Sequence, residues 1–144
     1  MHTPRTNFFL LWVMTLLVGM SPIHATAQSG LLTRPIDVGP LTLAAGQPLA
    51  AGPIELESGK QYSLTIRADG SAELALHGPE FFRNVWINEI IINDIEIRPL
   101  GVDSVEFDAA GEVEITFVTI RPGTFTLRIP GTTSDSQSAT FNVK

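Results

Sequence analysis

Apolar and polar residues alternate along most of the chain after residue 50. Tyr62, Leu64 and Ile66 form one alternating set, Val113, Ile115 and Phe117 a second, Phe125, Leu127 and Ile129 a third, and Phe141 with Val143 a fourth. A period of two places these side chains on one face of a strand and Ser63, Thr65, Glu112, Glu114, Thr116, Thr126 and Arg128 on the other. Turn-forming pairs punctuate the pattern at Ala45-Gly46, Ser58-Gly59, Asp69-Gly70, Gly78-Pro79, Ala110-Gly111, Pro122-Gly123 and Pro130-Gly131. Their spacing suits strands and is too short for a bundle of long helices.

One segment fits two periods, because Ile87, Ile90, Ile91 and Ile95 also lie on a helical stripe. β-branched side chains lose rotamer freedom in a helix and pack well on a pleated surface, so the segment is assigned to strands, divided by a turn or bulge at Asn93-Asp94. Gly101 followed by alternating Val105 and Phe107 adds another. The sum is about eight strands after residue 50, with no long helix and no internal repeat. This predicts an all-β fold, an antiparallel β-sandwich of two sheets packed face to face. Residues 28–50 are richer in Gly, Pro and Ala and read as a leader that lays an edge strand, Leu41 to Leu43, against a domain of residues 51–144.

The first 27 residues have another character. Arg5 is their one basic side chain, no acid occurs, and an uncharged, mainly apolar run extends from Phe8 to Met20. Pro22 and the small residues of Ala25-Thr26-Ala27 follow. This is the pattern of a secretory signal cut before Gln28, and the run is shorter than the ~20 residues of a membrane-spanning helix. The expected location is periplasmic or secreted, with no stable membrane insertion after the signal is removed.

Composition then narrows the chemistry. Removing residues 1–27 leaves 117 residues with a net charge of −7, one histidine, and neither cysteine nor methionine. A fold of this length buries enough surface to stand without disulfides. An acidic chain repels phosphate backbones, so nucleic acid is excluded as a partner.

Three segments carry a family resemblance. They are Ser58-Gly59-Lys60 leading into Tyr62-Ser63-Leu64-Thr65-Ile66, the run Gly78-Pro79-Glu80-Phe81-Phe82-Arg83-Asn84, and Arg121-Pro122-Gly123-Thr124-Phe125 with the closing Thr140-Phe141-Asn142-Val143. Over roughly residues 52–144 the chain resembles small exported cupredoxin-like proteins, which implies a Greek-key β-sandwich. In copper-carrying members the penultimate strand ends in a thiolate ligand, the next loop supplies a histidine and a methionine, and an earlier loop another histidine. By that resemblance the thiolate position falls on Ile129, the next ligand near Thr132 and the axial position near Gln137. A type 1 copper site needs a thiolate and two imidazoles, and one histidine without cysteine cannot build it.

The remaining candidates are few. His77 with Glu80 could form a weak, open metal site, although an ordinary histidine at a strand end is the simpler reading. Glu80, Phe81, Phe82, Arg83 and Arg121 form a candidate partner contact, with Glu80 expected to pair with Arg83 or Arg121. The competing reading puts the phenylalanines into the sandwich end and Trp86 into the core. The acids, among them Glu55, Glu73, Glu89, Glu106 and Glu112, alternate with apolar residues and are expected on solvated faces where they discourage edge pairing. No nucleophile elbow, phosphate loop or calcium loop occurs.

These features predict a non-catalytic module without a cofactor, acting as a binding or accessory protein on another envelope protein. The alternative is a weak copper- or iron-handling protein that assists uptake or delivery. A third reading is an enzyme subunit whose active site lies on another chain.

Overall fold

The computed structural model describes residues 33–144, so the expected signal and its cleavage site lie outside the described residues. The strands are β1 (Ile36–Leu43), β2 (Ile54–Leu56), β3 (Gln61–Ala68), β4 (Leu74–His77), β5 (Val85–Ile92), β6 (Ile95–Ile97), β7 (Ser104–Phe107), β8 (Gly111–Thr119), β9 (Gly123–Arg128) and β10 (Ser138–Val143). A one-turn helix, α1 (Pro79–Arg83), joins β4 to β5, and a 3-10 turn (Asp135–Gln137) precedes β10. None of the described helices is long and apolar enough to cross a membrane.

The strands form two five-stranded sheets, ordered β1-β3-β8-β5-β6 and β2-β10-β9-β4-β7. This is the all-β sandwich of two sheets predicted above, with two differences. Ten strands are present among the described residues, and each sheet is mixed, because β1 runs parallel to β3 and β2 parallel to β10. Every other pairing is antiparallel.

The alternating sets face one another as their period requires. Across β3 and β8, Tyr62 pairs with Phe117, Leu64 with Ile115 and Ile66 with Val113, and all six are buried. Leu127, Ile129, Phe141 and Val143 bury the inner face of the second sheet. Leu41, Leu43 and Leu49, from the segment read as a leader, are almost completely buried as well. The edge strand expected at Leu41 to Leu43 is the end of the eight-residue β1, and the hydrophobic core draws on both sides of residue 51.

The ambiguous isoleucine segment is strand. β5 pairs with β8 through Ile87 with Phe117 and Glu89 with Thr116, a bulge that leaves Asn88 without an opposite number. The extra residue turns both Ile87 and Ile90 inward at a spacing of three. Thr116 lies on the outer face as predicted but is buried, within hydrogen-bonding distance of Asn88 and Glu89. Asn93 and Asp94 have φ of +48° and +65°, the type I′ turn that closes a two-residue hairpin into β6.

Candidate functional site

One end of the sandwich gathers most of the residues singled out in the sequence. His77, the last residue of β4, pairs with Arg128, the last residue of β9. This sets the histidine beside the strand end that leads into Ile129. Gly78 follows, extended and packed so closely on β9 that a Cβ there would collide with Leu127 and the carbonyl of Thr126. Pro79 then opens α1 with its fixed φ, at a position where its missing N–H is not needed.

α1 turns Phe81 into the interior. Its ring lies 4.4 Å from that of Phe141 on one sheet and 5.3 Å, edge-on, from that of Phe117 on the other. Phe82 packs edge-on against Phe81 at 5.5 Å. Phe81 and Phe82 are buried, so the aromatic half of the candidate contact plugs the sandwich, and of the two only Phe82 reaches the lining of a surface groove. Large rings bury most apolar area per residue, and in this chain both sheets need one between them.

The polar half stays outside. Glu80 pairs with Arg83 at 3.5 Å, with both side chains about three-quarters exposed, and Arg121 lies exposed at the β8–β9 turn. Trp86 differs from the core position expected for it, being 46% exposed. Val85 and Ile87 are both buried, and in a strand the residue between two inward side chains points outward. Trp86 borders a shallow groove lined also by Phe82, Val85, Ile87, Pro99, Leu100 and Val102. Leu100 is fully exposed on its rim.

Of the positions that the resemblance gives to copper ligands, only Gln137 carries a fitting donor, and a glutamine serves there only as a weak axial partner to a thiolate and imidazoles. Ile129 is buried hydrocarbon. Thr132 donates its hydroxyl to the Ile129 carbonyl at 2.6 Å, and Gln137 donates its amide to the Gln47 carbonyl at 2.6 Å. Arg128 reaches the carbonyls of Thr132 and Ser134 at 3.4 and 3.3 Å, and Ser134 accepts from the Ser136 N–H. The loop is thus held by hydrogen bonds within itself and by one to the Gln47 carbonyl. A thiolate with two imidazoles cannot be assembled from these side chains and His77.

His77 is exposed and belongs to no cluster of three potential metal donors among the described residues. Glu73, Glu106 and Asp108 form such a cluster, all three exposed, with Glu106 on β7 and the other two one residue beyond the paired ends of β4 and β7. The sequence pattern predicts solvated acids on strand faces; all three are solvated, but only Glu106 lies within a strand. It did not foresee that the β4–β7 register would bring three together. Leu74 opposite Phe107 implies Glu73 near Asp108, a relation invisible before the pairing is known.

No family model and no curated protein matches the chain. Among solved structures it is similar to a multicopper oxidase from Campylobacter jejuni described as a metallo-oxidase. That match has 8% identity and a TM-score of 0.43, over 62% of this chain and 20% of the other. It is also similar to a laccase-like multi-copper oxidase from the lignin-degrading bacterium Ochrobactrum sp., at 14% identity and a TM-score of 0.48, over 69% of this chain and 23% of the other. The match spans less than a quarter of either oxidase. Similarity of this extent assigns neither copper nor an activity to this chain.

Proposed function

We propose that the chain is an exported, non-catalytic cupredoxin-like module that lacks a type 1 copper centre and acts by binding another protein of the cell envelope. The observation that carries this reading is the strand end and loop from Arg128 to Gln137. Where a copper carrier of this fold would hold sulfur and imidazole, this chain has buried Ile129 and a closed set of protein hydrogen bonds. The partner contact on this reading is the Trp86–Leu100 groove, with Glu80 and Arg83 on α1, just before Trp86 in the chain. An exposed tryptophan is among the side chains enriched at contact centres.

Site-specific photo-crosslinking in native envelopes tests this reading. A crosslinker at Trp86 is expected to capture a discrete partner, and one at Glu112, on the outer face of β8, is not. Equal capture from both positions, or none from Trp86, overturns it. Calorimetry with Cu(II), Cu(I) and Fe(III) on wild type and His77→Ala addresses the metal-handling alternative. Our reading expects the same weak heats from both proteins, and tight binding lost in the variant would replace it.

A further inference from the structure

The four outer strands of the two sheets differ in what they present to a neighbouring strand. β1 carries Asp37 and Pro40 at a register irregularity. β7 sets Glu106 between Asp103 and Asp108, three like charges that repel a second copy. β2 with its flanks, Pro53 to Glu57, carries acids only, Glu55 and Glu57, which repel a second copy. β6 reads Ile95-Glu96-Ile97 and continues into Arg98-Pro99, with Ile95 62% and Ile97 43% exposed. An uncovered strand edge offers unpaired N–H and C=O groups to another strand.

The hairpin fixes which groups of β6 are free. Ile92 and Ile95 flank the two-residue turn and exchange both backbone hydrogen bonds, as Ile90 and Ile97 do one step further on. Ile95 and Ile97 therefore use their backbone groups on β5. Those of Glu96 point away from the sheet, and those of Arg98 point the same way by the alternation of the ladder.

We infer that β6 pairs antiparallel with β6 of a second copy of this chain, across a twofold axis at Ile97. Three registers use the outward groups of Glu96 and Arg98. Two of them set Glu96 against Glu96 or Arg98 against Arg98, and like charges directly opposite are destabilising. The third sets each Glu96 against the other copy's Arg98, twice by symmetry, beside the exposed contacts of 3.4 and 3.3 Å that Arg98 makes with Glu96 and Glu89 of its own chain. It places Ile97 opposite Ile97 as a close, non-hydrogen-bonded pair, on the face that also bears the exposed Ile92 and Ile95. Pro99 falls opposite Ile95, where the ladder needs no N–H, so its missing donor costs nothing. The edge is self-complementary in charge, backbone and apolar surface together, which is what an isologous contact requires.

Sedimentation equilibrium tests the pairing on the protein expressed from its full sequence, in the form its host makes, from micromolar to millimolar concentration. Wild type is expected to associate to a dimer. Glu96→Arg alone and Arg98→Glu alone each place like charges at both symmetric positions and should weaken association at least about tenfold. An equimolar mixture of the two variants should associate again, because each reversed charge then faces its opposite. Both positions are exposed, and unchanged near-ultraviolet circular dichroism confirms that the variants fold. A wild type that stays monomeric overturns the inference. So does a dimer that survives both reversals, or a mixture that remains as weak as its components.

Discussion

Phe81, Phe117 and Phe141 at one end of the sandwich, and Ile92, Ile95 and Ile97 on the β5–β6 hairpin, share an inward orientation. The phenylalanines are at most 1% exposed, and the isoleucines are 38% to 62% exposed. Ile97 sits directly across from buried Ile90 on the same face of the same sheet. The difference is coverage. α1 carries a ring to where both sheets converge on it, whereas nothing from the second sheet covers β6. Strand period decides which face a side chain occupies, and only the extent of the opposing layer decides whether that face is dry.

The largest expected effect therefore lies at the aromatic end. Phe81→Ala should cost about 3–5 kcal/mol in urea unfolding, because it opens a cavity between two sheets. A loss below about 1 kcal/mol would show that the ring is not the plug described. Gly78→Ala comes next at about 1–3 kcal/mol, since the added methyl group must push β4 away from Leu127. Its melting temperature relative to Gly52→Ala, a site with open space around it, isolates that collision.

Tyr62→Phe should cost about 1 kcal/mol, because the buried hydroxyl accepts the Glu57 N–H at 2.8 Å and leaves it unpaired when removed. Ile95→Ser should fall within about 0.5 kcal/mol of wild type at concentrations where the chain is monomeric. A cost comparable with that of Phe81→Ala would erase the contrast between the two regions.

The smallest effect is electrostatic. Hydrogen bonds from Lys144 and then Asn142 hold the Glu55 carboxyl below its ordinary range. A depressed folded-state value means that the pair's contribution is present above the unfolded carboxylate range and disappears as pH falls through the folded value. The urea midpoint of wild type should therefore drop slightly more than that of Glu55→Gln between about pH 5 and about pH 3. An identical drop in both proteins would show that the exposed pair contributes nothing.

Much of this contrast was legible in the sequence, and its limits have physical causes. The alternating sets of β3, β8, β9 and β10 give the all-β class, because each strand pairs in register and one face of each is buried. The helix-like spacing of Ile87 and Ile90 comes from the bulge at Asn88, an extra residue that breaks the period without breaking the strand. Trp86 misleads because its size argues for burial, while its place between Val85 and Ile87 argues for the outside, and position wins. β1 is longer than its composition suggests, since Gly39 and Pro40 fall at an irregularity of a parallel edge strand, where both are tolerated.

At the candidate site, the missing sulfur and imidazole donors could be read from the residue inventory alone. The position of His77 beside the end of β9 could not, because a pairing between residues 51 apart is a property of topology.

Titration of the purified protein with copper, followed by visible absorption and by metal content after desalting, tests the central claim most directly. The account predicts no intense visible band and no stoichiometric copper retained. One tightly held copper per chain, with strong visible absorption, would contradict it.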